Sequence, residues 1–137
     1  MRVIGFNFDK ISVEKLKDRT DKLNIKTNID VSEIKQIKSD ILKTKEELVE
    51  AKFSYTIKYE PGYANIDLKG KALLSLEEKQ AKEVMKQWKK KQMPEEFRTV
   101  LLNIIMRKAS LRSLHLEDEL NLPLHLPFPT LQPQKEK

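Results

Sequence analysis

The only imidazoles this 137-residue chain can bring to chemistry are His115 and His125, and it has no cysteine. His115 is followed closely by Glu117 and Asp118, so a metal-binding cluster can be drawn. The spacing is poor for it, because residues two apart on a helix do not share a face. A surface or capping role is expected for His115. His125 lies in an apolar, proline-rich stretch with no evident partner and is expected to be structural. Carboxylates gather at Glu46, Glu47 and Glu50 and again at Glu117, Asp118 and Glu119, where paired acids could exchange a proton. Both groups sit in charge-mixed stretches, so solvated surface charge is the expectation. No nucleophile motif, phosphate loop or dinucleotide fingerprint occurs, and 3 glycines leave little material for one. Without cysteine there are no disulfides and no thiolate metal sites. The expectation is a protein that is not an enzyme and carries no cofactor and no metal.

Positive charge is the more suggestive feature. The chain has 27 Lys+Arg against 21 Asp+Glu, a formal net charge of +6, and a basic chain favours acidic partners. For a ribosome-associated or RNA-binding protein the candidate contacts are Lys35, Lys38, Lys86, Lys89, Lys90 and Lys91, with Lys43 and Lys45 nearby. They would bind phosphates without sequence preference and release them in salt. The charges of both signs are interspersed, however, and the few aromatics fall at core-like positions. No platform for stacking bases is evident.

Hydrophobic residues make up 39% of the chain, too many for a disordered polymer and enough for one core. Four segments alternate with the period of a half-buried strand. In the first, Ile4, Phe6 and Phe8 share a face, and Ile11 and Val13 follow in opposite parity. A bulge or bend is therefore expected around Asp9–Lys10. The second places Leu23, Ile25, Thr27, Ile29 and Val31 on one side. From Ser32 to Lys45 the pattern is lost, and a short helical turn or irregular connection is expected. The third alternates from Val49 through Ala51, Phe53, Tyr55 and Ile57 to Tyr59, and Pro61-Gly62 then demands a tight turn. The fourth carries Ala64, Ile66, Leu68, Ala72, Leu74 and Leu76, with Gly70 marking a bulge or a close approach.

The period then changes. Ala81, Val84, Met85 and Trp88 make one stripe of a helix from about Glu77 to Lys91. Pro94 followed by two glutamates starts a second helix, from about Glu95 to Leu116. Val100, Leu102, Met106, Ala109 and Leu114 make that helix apolar well beyond one stripe. A second covering surface is implied, either another subunit or the first helix and the tail. The Leu120–Pro129 stretch is too rich in proline for helix and too apolar to float in water. The fold class expected is α+β: a four-stranded antiparallel meander sheet packed with two C-terminal helices, ending in an extended Pro-rich tail. Residues 1–131 would form one domain and 132–137 a flexible tail. With no signal peptide and no apolar run long enough to span a bilayer, the expected location is cytoplasmic, without membrane insertion.

This order of elements resembles the SecB family of export chaperones, in a divergent, archaeal-type form. Phe8-Asp9-Lys10-Ile11-Ser12-Val13 is similar to the family's first strand, and Phe53-Ser54-Tyr55-Thr56-Ile57 to its third. The apolar helix from Phe97 through Arg107 to Leu116, followed by Leu122-Pro123-Leu124-His125-Leu126-Pro127-Phe128, looks like the family's long helix and tail. The family's bacterial members are strongly acidic, whereas this chain is basic, and its connection between the second and third strands is longer and Lys-rich. The resemblance implies a SecB-like fold, a homo-oligomer (dimer or tetramer) and binding to unfolded or nascent polypeptide; an antitoxin-associated chaperone is a third reading, by family analogy alone. The side chains expected to meet such a client are Phe6, Phe8, Tyr55, Tyr59, Trp88, Leu124 and Phe128. Ribosomal RNA is the rival partner.

Overall fold

The alternating run that ends at Pro61-Gly62 becomes the centre of a four-stranded antiparallel sheet. The computed structural model describes residues 1–18, 22–38 and 46–134. Its elements are β1 (Arg2–Lys15), β2 (Asn24–Ile37), β3 (Glu46–Glu60), β4 (Ala64–Glu77), α1 (Glu78–Trp88) and α2 (Glu95–Glu119). One face of β3 and β4, from Val49 to Tyr59 and from Ala64 to Leu74, is sealed beneath the helices. The other face is charged and carries cross-strand ion pairs, among them Lys10–Asp67, Glu33–Lys52 and Lys35–Glu50. At the turn, Gly62 has φ +55°, a region glycine enters without a Cβ clash. The Tyr63 N–H closes it on the Tyr59 carbonyl at 2.9 Å.

The strand order is β1-β4-β3-β2, which corrects the expected meander. β2, β3 and β4 do lie beside one another in sequence, but β1 crosses to the free side of β4. The cause is composition. β3 and β4 bury the longest apolar rows, and a central place gives each a partner on both sides. A meander would leave β4 on an edge, with half its backbone groups unpaired. The more polar β1 and β2 take the edges instead.

The expected irregularity in β1 is present. Phe8 pairs with Gly70 and Lys10 with Lys69, so Asp9 is the extra residue of a bulge, and Phe8 and Ile11 come to face the same way. A second irregularity, between Val3 and Gly5, carries no sequence signal. It puts Val3 rather than Ile4 on the core side with Phe6, and leaves Ile4 43% exposed. β2 continues to Ile37, through the stretch where a helical turn or irregular connection is expected. Ser32 lies at a register shift between Val31 and Glu33. The shift brings Val31 and Ile34 to one face, a spacing of three that imitates a helix. Ile41, Leu42, Lys43 and Lys45 lie outside the described residues.

Gly70 fulfils the expected close approach. A Cβ there would collide with the Asn7 carbonyl oxygen and stand 2.9 Å from the Phe53 ring. Phe6 and Phe8 gather around that ring, with centroid separations of 5.1 and 6.2 Å.

Both helices end in the same hydrogen-bonded left-handed turn. In α1 the Gln92 N–H bonds the Gln87 carbonyl and the Lys91 N–H bonds that of Trp88, with Lys91 at φ +57°. In α2 the Leu122 N–H bonds the Glu117 carbonyl at 2.8 Å, with Asn121 at φ +54°. α1 thus stops short of Lys91, and α2 runs past Leu116 to Glu119. Phe97, Leu101, Ile105 and Ala109 face the sheet, and Leu122 of the tail joins Leu116 in the core. The surplus of α2 is only partly covered, since Met106 and Leu111 stay 50% and 60% exposed. Among the described residues no helix is long and apolar enough to cross a membrane.

Candidate functional site

The end of α2 holds a buried polar network that corrects two expectations. Glu117, expected to be solvated, has no exposure at all. His125, expected to lack partners, is bound to it: His125 Nδ1 lies 2.7 Å from Glu117 Oε1, and the His125 backbone N–H donates to Oε2 at 2.9 Å. The Tyr59 hydroxyl donates to the same Oε2. His125 Nε2 lies 3.2 Å from the Tyr55 hydroxyl, which is 3.2 Å from Ser110 Oγ. An ionised Glu117 is an acceptor only, so Nδ1 carries the imidazole proton and Nε2 accepts from Tyr55. A carboxylate is tolerated in the core because all three donors converge on it. Burial, reinforced by the bond to Glu117, holds the Tyr59 phenol far above its usual range. Burial raises Tyr55 too, partly opposed by its bond to Ser110.

A carboxylate–imidazole–hydroxyl chain resembles a proton relay, but here the imidazole's second nitrogen is taken up by the Tyr55 phenol, which is no activated nucleophile. Its effect is mechanical: it fastens the tail across β3. His115, by contrast, is a surface residue paired with Glu119 at 2.7 Å, as expected. Among the described residues no cluster of His, Asp and Glu could hold a metal.

Beside this network, β2 and α2 enclose two adjoining hollows. The first, of about 430 Å³, is walled by Thr27, Tyr55, Met106, His125 and Leu126. The second, of about 550 Å³, is walled by Val31, Trp88, Lys91, Met93, Arg98 and Leu102. Ile29 borders both. The side chains come together because Thr27, Ile29 and Val31 alternate onto the helix side of β2, while Leu102 and Met106 are one helical turn apart on α2. Among the described residues β2 pairs only with β3, and the backbone groups along its other edge meet no second strand.

Of the side chains singled out in the sequence, Trp88 and Tyr55 reach this groove. Tyr59 is sealed in the core. Phe6 and Phe8 belong to the aromatic cluster at the β1 side. Leu124 and Phe128 stand 40% and 58% exposed on the tail, and Leu126 between them is the tail leucine that lines a hollow. The lysines do not form one patch. Lys35 is paired with Glu50 on the outer sheet face, Lys38 follows the end of β2, and Lys86, Lys89 and Lys90 are exposed at the end of α1. Lys91 turns its Nζ over the Trp88 ring, 4.7 Å from the centroid. Ile29, Met106, Leu102, Arg98 and Leu126 were not among the expected contacts. The excess apolar breadth of α2 was the available signal for two of them.

No family model and no curated protein matches the sequence. A solved structure does match the fold. It is that of the Mycobacterium tuberculosis SecB-like chaperone Rv1957 in complex with a ChAD peptide from the Rv1956 HigA1 antitoxin. It covers 97% of this chain and 92% of its own, with a TM-score of 0.54 and 11% sequence identity. The fold is SecB-like. The expected α+β class, with an antiparallel four-stranded sheet and two helices, holds in this SecB-like architecture, and at this level of identity the likeness is one of fold alone. The matched protein is described as a chaperone.

Proposed function

We propose that this chain is a cytosolic, SecB-like holdase that binds unfolded or extended polypeptide in the groove between β2 and α2. The observation that supports it is the pair of hollows sharing Ile29 beside an open strand edge. A client laid along β2 would bond its backbone to that edge and drop alternate side chains into the hollows. Each apolar side chain fully buried there contributes roughly 1.5–3 kcal/mol. Met93 and Met106 suit clients of varied shape, since unbranched thioether chains repack readily. Trp88 and Tyr55 serve as walls, Phe6, Phe8 and Tyr59 hold the sheet beneath, and Leu124 and Phe128 offer further apolar contact on the tail. The matched chaperone's bound peptide is consistent with a polypeptide partner.

The test compares the wild-type chain with Ile29→Gln and with Leu111→Gln, a control on an exposed part of α2. Affinity for a chemically unfolded apolar client should fall about tenfold for Ile29→Gln, about the worth of one buried aliphatic side chain. It should be unchanged for Leu111→Gln and should survive 1 M salt. Client binding indifferent to Ile29, or capture of RNA that washes off in salt, would sink the holdase reading.

A further inference from the structure

We propose that the Trp88 end of the groove is a carboxylate subsite, so that preferred clients are extended segments with an acidic side chain four positions from an apolar anchor. The proposal rests on the groove reading above and adds a direction and a charge to it. Lys91 and Arg98 both border that hollow. Among the described residues neither has an ion-pair partner, although other surface lysines are paired. Asp30 borders the same hollow, but it pairs opposite Ser54 in register, so its side chain turns to the outer face of the sheet. The two cations are therefore uncompensated on the helix side.

Lys91 also stands where lysine is unfavoured. The left-handed closing turn of a helix is ordinarily filled by Gly, or by Asn as at Asn121. Glycine at 91 would close α1 without the Cβ penalty. What lysine supplies there is its ammonium, held over the Trp88 ring at the mouth of the hollow. The other hollow has no such cation, and both ring nitrogens of its His125 are committed to Glu117 and Tyr55. The groove is apolar at one end and cationic at the other.

The separation follows from the strand. Thr27 borders the first hollow and Val31 the second. These positions share a face and lie about 13 Å apart at a rise of about 3.3 Å per residue. A client strand alongside matches them with residues four apart that point the same way.

Trp88 is the chain's one tryptophan and reports occupancy directly. The intact protein is titrated with synthetic ten-residue peptides carrying Leu at one position and Asp, Asn or Lys four positions away, in both orders, since a client strand can lie parallel or antiparallel to β2, and the better-binding order is scored. The Asp peptide should bind about fivefold tighter than the Asn peptide at low salt, the size expected of solvent-facing charge pairs. The Lys peptide should bind weakest. The Asp preference should vanish in 0.5 M salt, in Lys91→Gly, which keeps the turn, and in Arg98→Gln. Equal binding of Asp and Asn peptides by the wild-type protein, or a preference that persists in Lys91→Gly, overturns the subsite and leaves the groove standing. Failure to bind any of the peptides overturns the groove reading and this proposal with it.

Discussion

Replacing Glu117 by glutamine and by alanine should give two very different proteins. The carboxylate accepts from Tyr59, from the His125 backbone N–H and from His125 Nδ1. Alanine strands all three donors. Each buried orphan costs about 1–3 kcal/mol, reduced where water enters the vacated space, so a loss of about 3–5 kcal/mol is expected. That is a large share of the roughly 5–15 kcal/mol a domain has to lose. Glutamine can rescue the network. Its amide oxygen, in the place of Oε2, still accepts from Tyr59 and from the backbone of His125. Its NH₂ group then faces Nδ1, which becomes an acceptor once the imidazole proton moves to Nε2. Nε2 donates to Tyr55, which donates to Ser110. Only the charge assistance is lost, worth about 1–2 kcal/mol. Urea unfolding at neutral pH, followed by far-ultraviolet circular dichroism, measures both costs. A gap of about 2 kcal/mol or more between the variants is expected. Equal costs, or an alanine variant as stable as the wild type, would refute the idea that converging donors hold this carboxylate in the core.

Gly70→Ala should destabilise by about 2 kcal/mol, because the added methyl meets the Asn7 carbonyl, which is backbone and cannot swing away. A thermal melt should fall by about 5–10 °C, and an unchanged midpoint would contradict the close approach. Alkali should weaken the fold through its tyrosines. Burial first, then the bond to Glu117, raises Tyr59, and burial raises Tyr55. The folded chain keeps these protons where the unfolded chain loses them, so this stability is complete below about pH 10 and falls as pH climbs beyond it. Urea midpoints between pH 8 and 11 should decline less steeply in Tyr59→Phe; the same slope would argue against a sealed Tyr59.

What could be read from the residues was local. Val49 to Tyr59 alternates without interruption, and its strand is where expected. Phe8 and Ile11 disagree in parity, which located the bulge at Asp9. Gly70 stands in an apolar row with no side chain of its own, and the close approach followed. Around Ser32 the strand is disguised, because a register shift with hydrophobic residues three apart on its two sides reads as helix. The crossing of β1 to β4 is a choice between edges that no local pattern encodes. Glu117 carries no local sign of burial, because charge normally means water. Tyr59 is 58 residues away in sequence, and His125 seemed partnerless only because its partner had been assigned to the surface. The groove failed to show for a related reason: it is made by alternate residues of β2 facing one turn of α2, and neither element is unusual alone.

His125 belongs both to the network that fastens the tail and to the wall of the first hollow. Occupancy of the groove and the folding equilibrium are consequently linked. A client that engages only the fastened form draws the whole chain toward the native state, by about 2.7 kcal/mol when present at a hundred times its dissociation constant. The linkage runs in reverse as well: conditions that loosen the tail lower affinity in proportion to the fraction of chains in which it stays fastened.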